Sequence, residues 1–131
     1  MWFYNGEYID TPGEFIGFVY LITNQITGKK YIGKKNFYFS KTKQVKGKKK
    51  RFKIESDWLD YYGSNKELLT DVEKLGKEHF KREILMLCHT KGDFAYYEAK
   101  LQFDNKVLEG DQYYNTWIMV RVHKKHLTFN R

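Results

Sequence analysis

The sequence has one cysteine and one proline among its 131 residues. The lone Cys88 excludes an intrachain disulfide and a cysteine-based zinc cluster. We interpret Cys88 as a small core residue and not as a nucleophile. The longest apolar run, residues 15–22, is far shorter than the roughly 20 residues of a membrane span. Residues 1–14 have neither a basic segment nor an apolar core, so we expect no secretory signal and an intracellular protein. The length predicts one domain, residues 1–131.

Acidic residues are outnumbered by basic ones, and none lies between positions 34 and 54. The chain contains 24 Lys and Arg against 16 Asp and Glu, which gives a net charge of +8. An excess of this size favours a polyanionic partner, and the alternative is a protein kept soluble by a lysine-rich surface. The positive charge is concentrated in one stretch instead of being spread, which favours phosphate contact.

That stretch, residues 40–53, is predicted to be a basic loop or arm. Like charges at this density repel one another, and Gly47 adds freedom, so we expect no regular structure there. A solvated loop without a partner is the alternative. The lysines that we expect to contact nucleic acid are Lys35, Lys43, Lys46, Lys48, Lys49, Lys50 and Lys53.

Residues 17–33 predict a β-hairpin. The segment 18–22 is rich in β-branched and aromatic residues, residues 24–28 are turn formers, and residues 30–33 resume the strand. We expect Tyr20 and Tyr31 to face each other across the ladder of this hairpin.

The rest of the chain alternates between predicted helices and strands. A capping box at Ser64 and a stop at Gly76 predict a helix over 65–75. Residues 1–14 are expected to be an extended segment whose aromatic residues pack on the core, with stacking on nucleic-acid bases as the alternative. Further predictions are a short helix over 56–62 capped by Ser56, a buried strand over 83–88 and a helix from Asp93 to about position 109 capped by Asp93. The end of the chain is expected as a last strand or extended segment over 117–122 and a basic C-terminal tail from His123.

Glu98 falls between the apolar stripes of the helix predicted over 93–109. A carboxylate in that place is costly unless a cation or hydrogen-bond donors compensate it. Taken by itself, the residue is most simply a partly exposed glutamate paired with a nearby lysine.

Two short motifs carry a resemblance. Phe18-Val19-Tyr20 and, after ten intervening residues, Tyr31-Ile32-Gly33 resemble the two-part signature of the GIY-YIG nuclease superfamily, with Phe18 in the place of its first glycine. The order of hairpin, helices, strand, helix with Glu98 and then Asn115 is also similar. The resemblance covers about residues 14–116 and implies an α/β (α+β) fold in which helices flank a small three-stranded antiparallel sheet.

The resemblance also implies a function, that of a metal-dependent DNA endonuclease. Glu98 would bind one Mg²⁺ or Mn²⁺, Tyr20 would accept the proton of the attacking water, and Tyr31 would orient the water or the phosphate. Asn115 matches the family's asparagine, and Lys34 would touch the scissile phosphate.

The chain departs from the family at one important position. Lys41 occupies the spacing at which family members usually carry an arginine, and Arg51 is the alternative if the arm shifts the register. The two side chains are not interchangeable, because only guanidinium offers a planar bidentate fork. A noncatalytic nucleic-acid-binding module therefore remains the rival interpretation, and RNA is an alternative polymer. Similarity to small phage-encoded members implies the cytoplasm of an infected bacterium and no membrane association.

Overall fold

A computed structural model of the protein describes residues 1–121 and 123–126. The elements are β1 (Trp2–Tyr4), β2 (Glu7–Ile9), β3 (Gly17–Asn24), β4 (Lys30–Asn36), β5 (Tyr38–Val45), β6 (Lys48–Glu55), α1 (Lys66–Leu75), β7 (Phe80–Cys88) and α2 (Lys91–Asp104). Short 3-10 turns occupy Trp58–Asp60, Lys77–His79 and Lys124–His126. In the described residues, no helix is both long enough and apolar enough to cross a membrane.

The main sheet has five strands in the order β2-β1-β7-β3-β4, so the expectation of three strands is wrong. β3 is antiparallel to both of its neighbours, whereas β1 is parallel to β7, with Trp2 opposite Arg82. The extra strands form because the N-terminal segment pairs with a strand far away in the sequence, and such pairing leaves no local signal. Trp2 is completely buried against Phe18.

The two α-helices cover opposite faces of this sheet, which confirms the expected mixed architecture. Leu68 and Val72 of α1 pack in one core with Tyr20, and Phe94 of α2 packs in the other core. The predicted helix over 65–75 is confirmed as α1. Its N-cap is Asn65 and not Ser64, because the Asn65 side chain accepts the hydrogen bond from the backbone N–H of Leu68.

Other boundaries differ from the prediction. α2 begins two residues earlier than expected, because Thr90 and not Asp93 supplies the capping oxygen. It ends at Asp104 instead of position 109, and Lys106 has a positive φ of 53° that a helix cannot continue. β7 starts at Phe80, which pairs with Asn24 of β3.

One predicted helix, and the strand alternative for the segment that starts at position 117, are not found in the described residues. The segment 56–62 forms only the 3-10 turn at Trp58–Asp60, and the Ser56 hydroxyl donates to the Asn36 carbonyl oxygen (2.6 Å) instead of capping a helix. Residues 117–121 have no regular structure, and position 122 lies outside the described residues. The end of the expected basic tail, residues 127–131, also lies outside them.

The expected basic loop is instead a two-stranded antiparallel ribbon made of β5 and β6, here called the ribbon. Lys46 and Gly47 form its two-residue turn with φ of 50° and 77°, the conformation that matches the twist of a hairpin. Regular structure forms despite the charge because alternate side chains point to opposite faces and reach water on both. At its base, the Ser56 N–H donates to the Phe37 carbonyl oxygen (2.7 Å).

Candidate active site

A cleft of about 380 Å³ opens beside β4, the strand at one edge of the main sheet. Tyr20 and Tyr31 reach it from the face that α1 covers, and Lys34 and Glu98 reach it from the face that α2 covers. The cleft therefore brings together five residues expected from the sequence: Tyr20, Tyr31, Lys34, Glu98 and Asn115. Its remaining lining consists of Ser64, Asn65, Gln102, Thr116, Trp117 and Met119.

The two tyrosines are diagonal neighbours and do not face each other directly as expected. Tyr20 lies opposite Gly33, and Tyr31 lies opposite Ile22, with 6.1 Å between the tyrosine ring centroids. A Cβ atom at position 33 would lie 2.5 Å from the Tyr20 hydroxyl oxygen. The glycine is therefore required, because its missing side chain lets the Tyr20 ring lie across β4 and direct its hydroxyl to the edge.

Both phenols are held in their protonated form. Burial raises the pKa of Tyr20 well above its usual 10, and the nearby phenols of Tyr61 and Tyr31 raise it further. Burial also raises the pKa of Tyr31, whose hydroxyl oxygen lies 3.4 Å from that of Ser64. In the protein without bound ligands, neither residue is a phenolate at neutral pH.

Glu98 presents a largely buried carboxylate to the cleft, with 17% of its side chain exposed. Its Oε1 lies 4.0 Å from Lys34 Nζ, which also lies 5.0 Å from the ring centroid of Phe94. Burial raises the pKa of Glu98, and the Lys34 charge opposes that rise. The expected lysine partner is present at this long distance, so the carboxylate is only partly compensated.

The edge of β4 beside the cleft is completed by side chains. The Tyr114 N–H donates to the Lys30 carbonyl oxygen (2.7 Å), but the chain then turns away from the strand. The Asn115 carboxamide replaces the backbone of a neighbouring strand at the next position. Its Oδ1 accepts from the Ile32 N–H (3.1 Å), and its Nδ2 donates to the Ile32 carbonyl oxygen (2.8 Å). Gln102 Nε2 donates to the same oxygen at 2.9 Å. The backbone of β4 is thereby satisfied while the cleft stays open.

Comparison with known families identifies the fold around this cleft. The family model described as "Putative endonuclease segE, GIY-YIG domain" matches residues 2–118. The chain belongs to the GIY-YIG endonuclease superfamily. No match was found among curated proteins or among solved structures. Membership implies nuclease activity and a nucleic-acid substrate at the level of the family.

Phe18 marks a departure of this GIY-YIG domain from the family signature, and the fold accommodates it. Its side chain is completely buried, and its ring centroid lies 4.9 Å from that of Phe37 and 4.8 Å from that of Trp2. The phenylalanine therefore fills the core beneath the cleft and does not line the cleft.

A metal ion in this GIY-YIG domain would find oxygen ligands. Glu98 is the one carboxylate of the described cleft lining, and the neutral oxygens of Tyr31, Ser64 and Thr116 accompany it. In residues 1–121 and 123–126, no three His, Cys, Asp or Glu side chains are grouped to hold a metal. A hard cation such as Mg²⁺ fits this donor set, because it is commonly held by one or two carboxylates and retains several waters.

Two residues that shape the site, Tyr61 and Arg82, carry no signal of that role in the sequence. Arg82 is buried between the rings of Trp2 and Tyr62, and it donates to the carbonyl oxygens of Leu59 (3.0 Å) and Tyr61 (2.8 Å). It fixes the segment that places the Tyr61 ring edge-on to Tyr20, with 5.8 Å between centroids. These contacts join distant parts of the chain, so no local pattern indicates them.

The remaining predicted site residues lie outside the cleft lining. Lys41 and Arg51 belong to the ribbon, opposite Phe52 and Thr42 respectively. Lys35 is mostly buried, and its Nζ lies 2.6 Å from Asp57 Oδ1 and 4.1 Å from the Tyr61 ring centroid. It is thus engaged within the protein, whereas the ribbon lysines are exposed: Lys43, Lys46, Lys48, Lys49, Lys50 and Lys53.

Cys88, expected in the core, is buried in the α2-side core with Val19 and Phe94. Burial raises the pKa of its thiol to about 12, so it is not a nucleophilic thiolate.

Proposed function

We propose that this GIY-YIG domain is a divalent-metal-dependent DNA endonuclease that hydrolyses phosphodiester bonds in the cleft beside β4. One observation carries the proposal: a largely buried, weakly compensated carboxylate, Glu98, meets two protonated phenols at an open strand edge. Burying a carboxylate is unfavourable for stability, and a group retained at such a cost is typical of a functional site.

Each group of the cleft has a role in this proposal. Glu98 would hold Mg²⁺ or Mn²⁺, and the bound ion would supply Lewis-acid stabilisation of the leaving 3′-oxygen. Lys34 neutralises charge on a nonbridging phosphate oxygen, and Tyr31 orients the phosphate or the attacking water. Asn115 is a positioning residue, because both groups of its carboxamide are bonded to the backbone of Ile32.

Tyr20 is proposed to accept the proton of the attacking water, and its burial sets a condition on that role. Its pKa is raised in the free protein, so the substrate-bound cleft must lower it before the phenol can act as a base. Positive charge lowers the pKa of a phenol, and Lys34 together with a cation at Glu98 acts in that direction.

Lys41 and Arg51 were the two alternatives for the family arginine. Both lie on the exposed ribbon, and Lys34 is the one cationic side chain in the described cleft lining. The proposal therefore removes Lys41 and Arg51 from the chemistry of the cleft and assigns them, with the other ribbon cations, to the electrostatic attraction of DNA. Similarity to small phage-encoded members supports action in the cytoplasm of an infected bacterium.

The test is cleavage of supercoiled plasmid DNA in Mg²⁺ and in EDTA. We expect nicking only with the divalent ion, and Glu98→Gln should lower its rate by more than about 100-fold. Asp104→Asn is the matched control, because Asp104 is an exposed carboxylate on the same helix, paired with Lys100. Undiminished cleavage by Glu98→Gln would contradict the site assignment.

A noncatalytic nucleic-acid-binding module is the second candidate, favoured by the absence of arginine from the described cleft lining. Such a module would retard DNA equally in Mg²⁺ and in EDTA and would never nick it. The same assay with RNA tests the alternative polymer, because phosphate contacts do not distinguish the two.

A further inference from the structure

The ribbon carries almost all of the net charge of the chain. Residues 38–55 contain eight basic residues and one acidic residue, a net charge of +7 out of the total of +8. The body that holds the cleft is therefore nearly neutral. Electrostatic affinity for a polyanion must come mainly from the ribbon.

The two faces of the ribbon differ in chemistry. One face, here called the phenylalanine face, consists of the odd-numbered residues of β5 and the even-numbered residues of β6, which the register places side by side. Its large apolar side chains are exposed, at 41% for Phe39, 42% for Phe52 and 39% for Ile54. Lysines alternate with them, including the directly paired Lys43 and Lys50. The opposite face is polar along its whole length apart from Tyr38.

The opposite face is turned toward the body of the protein at its base. Tyr38, Ser40 and Lys53 of that face line a small cavity together with His89 and Lys91 beside the start of α2. The phenylalanine face points away from this cavity. The ring centroid of Phe39, the first residue of this face, lies 5.0 Å from Lys35 Nζ. Lys35 in turn contacts the ring of Tyr61, which packs against Tyr20. The base of the phenylalanine face therefore lies on the same side of the main sheet as Tyr20.

We propose that the phenylalanine face enters the major groove of duplex DNA and guides that duplex into the cleft, an inference that rests on the proposed nuclease function. A two-stranded ribbon fits this groove, where thymine methyl groups offer apolar contacts and the phosphates of the walls lie within reach of lysines. Eight residues per strand span about 26 Å, enough to follow roughly seven base pairs. The net charge of +7 disfavours a second copy of this chain as the partner.

The first test is DNA binding measured in EDTA by fluorescence anisotropy on a labelled duplex. Lys43→Gln/Lys50→Gln removes two charges from the phenylalanine face, and Lys49→Gln/Arg51→Gln removes two from the opposite face. We expect the first pair to lower affinity about tenfold and to reduce the salt slope by about 2, and the second pair to lower affinity less than about threefold. Equal losses would show that the ribbon acts as an undirected polycation and would overturn the proposal.

The second test asks whether the major groove is contacted. Replacing thymine by uracil in the duplex removes the methyl groups of that groove, and we expect this to weaken binding by the wild type but not by Phe52→Ala. A wild type indifferent to the replacement would overturn groove insertion. So would a Phe52→Ala variant that keeps its DNA affinity but changes self-association in sedimentation, because the face would then be a subunit interface. Both tests are independent of cleavage, so a failure of the proposed chemistry would be seen separately.

Discussion

At the scale of single residues, Glu98 opposes function to stability. The proposed chemistry needs Glu98 in its ionised form. Burial favours the neutral form of the side chain and raises its pKa. The native state therefore binds this proton up to a higher pH than the unfolded chain does. Above the native pKa, the ionised carboxylate destabilises the metal-free protein, and below the ordinary value of 4.5 this destabilisation is lost.

Glu98→Gln should consequently stabilise the metal-free protein. At pH 7 in EDTA we expect a gain of about 1 kcal/mol in the free energy of unfolding, shrinking as the pH falls toward 4.5. Mg²⁺ should reverse the order, because it binds the native wild type and not the variant. Thermal unfolding followed by circular dichroism measures both effects. A variant less stable than wild type in EDTA, or equal stabilisation of both proteins by Mg²⁺, would refute this account of Glu98.

The residues of the cleft were predictable only in part. The order of elements shared with the family indicates Glu98 and Asn115. It does not indicate a role for Arg82, because the sequence around Arg82 does not distinguish it from an exposed charged residue of a strand. A buried arginine is recognisable only when its partners are known, and these are carbonyl oxygens from another segment. The same is true of Gly33, whose necessity follows from the Tyr20 ring that crosses it.

At the scale of elements, the segment 58–62 depends on β7 for its position. The Arg82 guanidinium donates two charge-assisted hydrogen bonds to it and stacks between Trp2 and Tyr62. We expect Arg82→Lys to lower the free energy of unfolding by about 2 kcal/mol and to lower kcat through displacement of Tyr61 and Tyr20, with KM changed little. Lys81→Gln, at the exposed neighbouring position, should change stability by less than about 0.5 kcal/mol.

Urea unfolding and steady-state cleavage together test this arrangement. A purely structural role for Arg82 would leave kcat of the folded variant unchanged. That result would show that the position of the segment 58–62 does not affect the reaction in the cleft.

Elements with local signals were predictable, and those with nonlocal pairing were not. The extent of α1 was predictable from a capping motif and from Gly76, although the side chain that caps the helix is that of Asn65 and not that of Ser64. The parallel pairing of β1 with β7 has no such signal. The ribbon differs from the prediction for another reason. Its charge density indicates a loop, but the Lys46-Gly47 turn and solvent on both faces permit a ladder.

At the scale of the whole molecule, charge and chemistry are separated. The ribbon forms its own two-stranded sheet and contributes no strand to the five-stranded one. Residues 40–53 contain all eight basic residues of the ribbon and no acid, so a chain without them has a net charge of zero. The fold of the body and its electrostatic affinity for DNA should therefore be separable by deletion.

Replacing residues 40–53 by Asn-Gly joins the directly paired Phe39 and Ile54 through a turn suited to a hairpin. We expect the shortened protein to keep its Tm within a few degrees, because the sheet and both cores are intact. Its DNA affinity should fall steeply and lose nearly all dependence on salt. For the wild type, the slope of log K against log[salt] should be no steeper than about −7, the value for eight phosphate contacts. Cleavage at saturating DNA and low salt then decides the role of Lys41 and Arg51. Retained kcat would confine both residues to binding, and a folded but inactive protein would show that one of them reaches the scissile phosphate when DNA is bound.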